Sequence, residues 1–277
     1  MAKTRIVTDS AAELGPAVVE ALGISVVPWH IRLGTETVVD GPSLRTVEAY
    51  RRMARQKVTP VAIAPTRQQF VAEFSELAKS CDEIVAVVSS PTFGRVLNEA
   101  NRARAGVLGR CQIRVVDSQF ISRPQGELVA LAGQAAMGGA DGAEIARLVM
   151  GAIPSTYLAF HVEVLDYMVR TGLITREAEI PGGLSWSLLM VEDGHVAYLR
   201  RSRRRGTPVE RLFEFISEFE QADHLSIVHT GLSSGGEELG KMLQEQAPDL
   251  AYTEHIYGPV LSSLIGPVGF GVAVVDR

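Results

Sequence analysis

Short apolar runs alternate along this chain with longer stretches that have helical spacing. The clearest apolar run, residues 84–88, is bounded by turn residues, which is typical of a strand buried on both faces. A polar loop, residues 89–95 (SSPTFGR), follows and leads into a helical stretch. In open α/β sheets, ligands bind at the carboxyl ends of strands, near the amides of the next helix. The loop is therefore predicted to hold an anion, and an ordinary strand-to-helix connection is the alternative.

The same alternation extends over the first half of the chain. Strands are predicted at 5–9, 24–33, 37–39, 58–65 and 112–116, and helices at 10–22, 46–56, 66–77, 96–107, 125–137 and 143–153. Ser10 with Glu13, and Thr66 with Gln69, have the spacing of a capping box at a helix start. Strands that alternate with helices of this length predict a wound, mostly parallel α/β domain over residues 1–155.

After Pro154 the pattern changes. Strands are predicted at 156–162, 186–191, 195–199, 225–228, 251–256 and 269–275, with helices at 163–170, 207 onwards and 237–246. Asp193-Gly194 is a hairpin signal because this pair readily takes positive φ. The Thr207–Glu210 segment (TPVE) combines a cap, a first-turn proline and a glutamate. We predict a smaller, mixed α+β domain over residues 156–277.

Composition narrows the class of protein. With 277 residues, 46% hydrophobic and 21% charged, the chain can bury a large core, and its net charge of −5 does not suggest a nucleic-acid partner. The two cysteines, Cys81 and Cys111, lack CxxC spacing, so neither a disulfide framework nor a thiolate zinc site is expected. No signal peptide is expected, and no apolar run approaches the roughly 18 residues of a membrane span. We expect a soluble, cytoplasmic protein.

Known catalytic patterns are nearly absent from the sequence. GxxxxGK[ST], GxGxxG and HExxH spacings do not occur, so no metal or cofactor is predicted. Residues 231–235 (GLSSG) fit the GxSxG nucleophile elbow, with Asp249 and His255 following Ser233 in hydrolase order. Only about forty residues remain after this segment and no HGGG-like segment appears, so a Gly/Ser-rich turn is the favoured interpretation.

A basic run is the strongest charge feature of the sequence. Residues 200–205 (RRSRRR) hold five arginines in a net-acidic chain. A solvated basic turn is the common explanation of such a run. Alternatively, one arginine leaving the preceding strand could clamp a carboxylate or phosphate with two hydrogen bonds.

Taken together, these segments resemble the DegV family over nearly the whole chain. The resemblance rests on the order and spacing of IVTDSAAEL, residues 60–70, VSSPTFGR, VVDS, LDYMVRTGLI, VEDGHVAYLRRSRRR and IYGPVLSSLIGPVGFGVAVV. DegV proteins bind long-chain fatty acids, and some present the acyl chain to a separate kinase that phosphorylates the carboxylate. The resemblance implies non-catalytic binding of a fatty acid or related acyl ligand between two domains, with a fatty-acid kinase as partner and no cofactor.

The resemblance also implies where the head group would bind. The residues that would face it are Thr66, Ser89, Ser90, Thr92, Gly94, Arg95 and, from the second domain, Arg201. Asp9, Ser10, Asp117 and Ser118 match further family positions at strand ends. The acyl tunnel is not predictable from sequence because tunnel and core residues have the same composition.

Several head-group positions depart from the family pattern. Ala62 stands in place of a threonine, Phe93 of a serine, Leu173 of an arginine and Leu264 of a histidine. A buried carboxylate without hydrogen bonds or a compensating charge costs several kcal/mol. Either Arg95, Thr66 and Thr92 replace the lost donors, or the ligand is another anionic metabolite or a protein partner, or the site is lost.

Overall fold

A computed structural model describes residues 3–56, 59–107, 109, 111–175, 188–199, 206–219 and 222–276. Its first sheet is parallel and consists of β1 (Thr4–Asp9), β2 (Ser25–Val27), β6 (Glu83–Val88) and β7 (Gln112–Asp117). The strand order is β2-β1-β6-β7. Every residue of β6 is buried, which confirms the prediction of a strand covered on both faces.

Helices cover both faces of this sheet. They are α1 (Pro16–Ala21), α3 (Arg67–Leu77), α4 (Val96–Arg104), α5 (Arg123–Met137) and α6 (Gly142–Ala152). α3 packs on α4, and α5 packs on α6. The predicted α/β class, with a wound parallel sheet, is confirmed.

A small antiparallel sheet lies beside the first. It contains β3 (His30–Leu33), β4 (Glu36–Val39) and β5 (Pro60–Ile63) in the order β4-β3-β5. The helix α2 (Val47–Gln56) connects β4 to β5 in the chain. The strand predicted at 24–33 is divided into β2 and β3, and the strand predicted at 37–39 pairs with β3 as β4.

The C-terminal sheet is mixed, as predicted. Its strands are β8 (Thr156–Val162), β9 (Leu188–Glu192), β10 (His195–Tyr198), β11 (His224–His229), β12 (Thr253–Ile256) and β13 (Gly269–Val275). Their order is β10-β9-β8-β13-β11-β12. The accompanying helices are α7 (Asp166–Thr171), α8 (Pro208–Ile216), α9 (Gly235–Gln246) and α10 (Pro259–Ile265). Sequence patterns did not indicate α10.

One apolar core extends across the proposed boundary near residue 155. Val87 and Leu128 from the N-terminal part belong to the same buried cluster as Leu158 and Ala273 from the C-terminal part. The two-part α/β arrangement is clear, whereas the division into domains 1–155 and 156–277 stays a prediction. No helix within the described residues is long and apolar enough to cross a membrane.

Local helix and turn signals were mostly correct, with one exception. Thr66 and Thr207 both form capping boxes, and Asp193 and Gly194 take φ values of 48° and 75° at a hairpin turn. The capping box predicted at Ser10 and Glu13 is wrong. Asp9 instead caps a 3₁₀ turn over Ser10–Ala12, and Glu13 has a φ of 54°. Tertiary contacts of the Ser10 and Glu13 side chains override the local pattern.

Candidate functional site

Polar groups gather at the carboxyl ends of β1, β6 and β7. The Ser89 amide donates to Asp9 Oδ2 at 2.8 Å, and the Ser118 amide donates to the Val88 carbonyl at 3.0 Å. Parallel pairing sets these neighbours side by side, with Val88 opposite Asp117. The loop of residues 89–95 therefore follows the carboxyl end of a parallel strand, as the sequence predicts, and lies beside the polar ends of β1 and β7.

Asp9 organises this edge from inside the protein. Its carboxylate accepts hydrogen bonds from the Trp29 indole at 2.8 Å, the Gln125 amide at 3.0 Å and the Ala11 backbone at 3.1 Å. Burial raises the pKa of Asp9, while the bonds from Ser89, Trp29 and Gln125 oppose that shift. Because the oxygens of Asp9 already accept hydrogen bonds from groups within the protein, its role is structural: it holds the start of the loop through the Ser89 amide.

The indole ring of Trp29 leaves no room for a side chain at Gly94 of the loop. A Cβ at Gly94 would lie 2.7 Å from the Trp29 ring. The bond from Trp29 to Asp9 fixes that ring in place. Gly94 therefore lets the loop backbone approach the indole, which is a positional role rather than a direct contribution of a binding group.

The hairpin between β9 and β10 closes over the loop. Ser90 Oγ donates to the Gly194 carbonyl at 3.2 Å, and Thr92 Oγ1 lies 3.3 Å from His195 Nδ1. The Ser89 hydroxyl is buried and has no hydrogen-bond partner among the described residues. The hydroxyls of Ser90 and Thr92 thus contact the C-terminal part of the chain, while the hydroxyl of Ser89 is unpaired within the described residues.

The remaining predicted site residues lie in different surroundings. Arg95 is exposed at the start of α4. Thr66 is exposed, and its hydroxyl is used in the capping box with Gln69. Arg201 and the rest of the 200–205 run lie outside the described residues. The ligand roles of these residues stay predictions.

An apolar pocket lies directly behind the loop. It is lined by Phe93 and Ile121 from the N-terminal part and by Leu158, Phe160, Val191, Val228, Tyr257, Leu261, Ile265 and Phe270 from the C-terminal part. Its volume is about 10 Å³, so the side chains close it almost completely. The Tyr257 hydroxyl turns to the Gly266 carbonyl at 3.1 Å, which leaves the lining apolar.

The positions that depart from the family pattern all join the apolar core. Phe93 is 4% exposed, and Ala62, Leu173 and Leu264 pack against the same cluster. Three of them lie close together, because α10, which contains Leu264, contacts β5, which contains Ala62, and α7, which precedes Leu173. The Thr171 hydroxyl donates to the Leu264 carbonyl at 3.2 Å. Where the resemblance implies a polar cradle, the chain therefore has apolar side chains.

A second contact between the two parts is polar; we call it the Glu13 network. Glu13 accepts hydrogen bonds from the Ser122 hydroxyl and the Gly258 amide, both at 2.5 Å, and lies 2.7 Å from His255 Nε2. Burial alone would raise the pKa of Glu13, but the hydrogen bond and charge of His255 and the charge of Arg45 lower the pKa overall. Glu13, which follows β1 and its 3₁₀ turn, thus connects this region to His255 of β12 and to Gly258 at the start of α10.

Within the described residues, the serine and the histidine of the hydrolase hypothesis form no hydrogen bond with each other. His255, the histidine of that ordering, contacts Glu13. Ser233 is in the turn before α9, and its buried hydroxyl has no hydrogen-bond partner among the described residues. The Gly/Ser-rich turn interpretation therefore fits the geometry of residues 231–235.

Sequence patterns missed the pocket lining and the Glu13 network. The C-terminal glycine-rich segment contributes Tyr257, Leu261, Ile265 and Phe270 to the pocket. Its apolar periodicity between two Gly-Pro pairs was an available signal for α10. No local pattern identifies Glu13, because its partners lie far away in sequence.

Comparisons with known proteins agree with this architecture. The fold defines a two-part α/β protein with an apolar pocket at the junction of its parts. A family model described as an uncharacterised protein of the DegV family matches residues 3–277. This chain belongs to the DegV family.

Relatives match along the full length of the chain. A DegV domain-containing protein of Caldanaerobacter subterraneus is 25% identical over 283 residues, covering 100% of both chains. A relative in Halalkalibacterium halodurans is 27% identical over 279 residues, covering 99% of this chain and 98% of its own.

Solved structures show the same fold at low sequence identity. DegV from Bacillus subtilis, described as a fatty acid binding protein, superposes with a TM-score of 0.86 at 18% identity, covering 100% of both chains. A fatty-acid-binding DegV family protein from Thermus thermophilus gives 0.83 at 21% identity, covering 99% of this chain and 100% of its own. A stearic-acid-binding protein from Eubacterium ventriosum gives 0.82 at 21% identity, covering 100% of this chain and 98% of its own.

Proposed function

We propose that this protein binds a fatty acid or a related acyl chain at the junction of its two parts and catalyses no reaction. The apolar pocket carries this proposal, because both parts line it and no charged side chain is among its lining residues. The transfer of an acyl chain from water to such a surface is favourable by roughly 0.8 kcal/mol per buried methylene. Relatives described as fatty-acid-binding add support.

The loop of residues 89–95 is the proposed end of the pocket for the head group. Phe93 lines the pocket, while Ser89, Ser90 and Thr92 precede it in the same loop. The unpaired Ser89 hydroxyl can donate to a carboxylate, and Arg95 can supply the compensating charge. Thr66 and Arg201 complete the proposed set.

Phe93 must move before an acyl chain can enter. Ligand pockets usually have about 300–1,000 Å³ of volume, whereas this one has about 10 Å³. We propose that Phe93 is the side chain that turns away, because it is the lining residue that belongs to the loop of residues 89–95, where the head group is proposed to bind. A carboxylate held at this loop would then be accessible to a separate kinase.

The proposed place of action is the cytoplasm. Cys81 and Cys111 are both free thiols, which fits a reducing compartment.

Denaturing mass spectrometry of freshly purified protein tests the binding proposal. We expect co-purifying acyl species in the wild type. Val228→Phe adds volume inside the pocket and should abolish them, whereas the same change at exposed Val164 should not. Circular dichroism checks that both variants fold. Wild-type protein free of lipid, and unable to take up added fatty acids, would contradict the proposal.

A second candidate function is binding of another anionic metabolite. It is favoured by the four apolar replacements in the head-group region and by a separate cleft of about 1160 Å³. Arg104, Arg114 and Arg147 line that cleft, together with five acidic residues: Asp117, Glu192, Asp193, Glu218 and Asp276.

A thermal-shift screen separates the two candidates. Fatty acids should raise the midpoint of unfolding under the first proposal, and the shift should disappear in Val228→Phe. Phosphorylated metabolites should raise it under the second, with a shift that disappears in Arg147→Ala.

A further inference from the structure

The two cysteines of this chain are in contact. Cys81 Sγ and Cys111 Sγ lie 3.8 Å apart although 30 positions separate them in sequence. The chain has only these two cysteines among 277 residues. Two residues placed at random in a protein of this size rarely touch, so this arrangement calls for a physical explanation.

Parallel pairing of β6 and β7 brings the thiols together. Cys81 comes just before β6 and Cys111 just before β7, and Glu83 is paired with Gln112 in the sheet. The Gln112 amide also donates to the Asp82 carbonyl at 2.9 Å, which extends the pairing towards the cysteines. Both thiols therefore lie at the amino edge of the sheet, opposite the carboxyl edge that carries the loop of residues 89–95.

Both thiols are reachable but weakly acidic. Each cysteine is partly exposed. Burial raises the pKa of Cys81, and burial together with the neighbouring Cys81 raises the pKa of Cys111 to about 12. Reaction with peroxide and exchange with a disulfide both proceed through the thiolate, so the raised pKa values make either reaction slow at these two cysteines.

We propose that Cys81 and Cys111 form a redox modification site that closes to an intramolecular disulfide by exchange with a small disulfide of the glutathione class. One thiol, as its thiolate, attacks the small disulfide, forms a mixed disulfide and releases one reduced small thiol. The other cysteine attacks the protein sulfur of that mixed disulfide and releases the second. The two protein thiols lose two electrons and two protons, which reduce one small disulfide to two thiols.

The geometry allows this closure with small movements. The sulfurs must approach from 3.8 Å to a bonding distance of about 2.05 Å. Both residues precede their strands, so side-chain rotation and a small backbone shift can supply the approach. In a reducing compartment the pair stays in the dithiol form, and a higher ratio of oxidised to reduced glutathione converts it to the disulfide.

Titration with reduced and oxidised glutathione tests the proposal. Acid-quenched samples of native and urea-unfolded protein are analysed by intact mass and peptide mapping. Because the native fold holds the sulfurs together, the effective concentration of one thiol towards the other should be on the order of 100-fold higher in the native protein than in the unfolded chain. Cys81→Ser and Cys111→Ser should each stop at a single glutathione adduct.

Thermal unfolding supplies an independent measurement. The oxidised wild type should unfold about 5 °C above the reduced protein. The single-cysteine variants should show no such difference between oxidising and reducing buffers. Less than a tenfold native-to-unfolded ratio, two glutathione adducts on one chain, or a disulfide between two chains would each overturn the proposal.

Discussion

The apolar pocket and the Glu13 network both join the N-terminal part of the chain to the C-terminal part, but by opposite means. The pocket joins them through uncharged side chains such as Phe93 and Phe160. The Glu13 network joins them through one buried carboxylate and its donors on Ser122, His255 and Gly258. Apolar contacts are not directional and tolerate repacking. Buried hydrogen bonds require one geometry.

This difference assigns separate tasks to the two contacts. We expect the pocket to be the place that opens, because its side chains can rearrange without leaving a polar group unpaired. We expect the Glu13 network to hold the two parts in register meanwhile, because any displacement there leaves a buried carboxylate without donors. Five predictions test this comparison.

Glu13→Ala should cause the largest loss of stability. It removes the acceptor of buried donors and should lower the free energy of unfolding by about 4 kcal/mol. Urea denaturation followed by circular dichroism measures this change. Glu20→Ala, at an exposed glutamate of α1, is the matched control and should have little effect. Equal stabilities of the two variants would show that the network does not hold the parts together.

Phe93→Ala should lower stability and increase acyl binding at the same time. Removing a buried phenylalanine ring costs about 3 kcal/mol, and the space it leaves enlarges the pocket. Phe74→Ala is the control, since Phe74 is also fully buried but lies on α3, away from the pocket. Both variants should be destabilised, and calorimetry should find tighter fatty-acid binding only in Phe93→Ala. Similar affinities in the two variants would contradict the proposed movement of Phe93.

The contribution of Glu13 should also depend on pH, with a smaller effect because only its ionisation changes. Its pKa in the folded protein is below the ordinary value of 4.5. The stabilisation is therefore fully present above pH 4.5 and is lost as the pH falls through the lowered folded pKa. The stability difference between wild type and Glu13→Gln should shrink over that acidic range in urea titrations.

Asp9 supplies the contrast for this pH experiment. Burial raises its pKa above 3.8, so its contribution to stability is largest below pH 3.8 and falls as the pH rises through the raised folded pKa. The wild type should therefore lose stability relative to Asp9→Asn as the pH rises. Slopes of the same sign for the Glu13 and Asp9 variants would contradict the assigned environments.

Arg95→Ala should have the smallest effect on stability. Arg95 is exposed, so the free energy of unfolding should stay within about 0.5 kcal/mol of the wild type. Loss of its charge should weaken fatty-acid binding about tenfold, which corresponds to about 1.4 kcal/mol. Arg102→Ala, with a side chain 73% exposed on the same helix, is the control and should bind like the wild type. Equal affinities of the two variants would remove Arg95 from the proposed site.

Features with a local cause were predictable from sequence. The buried strand β6, the caps at Thr66 and Thr207 and the Asp193-Gly194 turn depend on neighbours within a few residues. The location of the 89–95 loop followed from the apolar run before it and the helical stretch after it, which place the loop at the carboxyl end of a strand. The bounds of these elements agree to within a few positions.

Features with a distant cause were not predictable. Ser10 and Glu13 have capping-box spacing, but Ser10 Oγ accepts from the Trp29 amide, and Glu13 binds groups more than 100 positions away. The pocket residues are ordinary core residues by composition, and only their convergence from β6's loop, β8 and α10 distinguishes them. Local sequence patterns do not show which of these distant residues meet in the folded protein.

The sequence separations in the Glu13 network set an order of events during synthesis. Glu13 is made early, whereas its partners His255 and Gly258 follow 242 and 245 positions later. On a ribosome that adds about 5–20 residues per second, the carboxylate waits more than ten seconds for these donors. A nascent or truncated chain can build the parallel sheet around β6, but it cannot bury Glu13 with its full set of partners. This network is therefore complete only when the segment that contains Glu13 and the segment that contains His255 and Gly258 have come into contact.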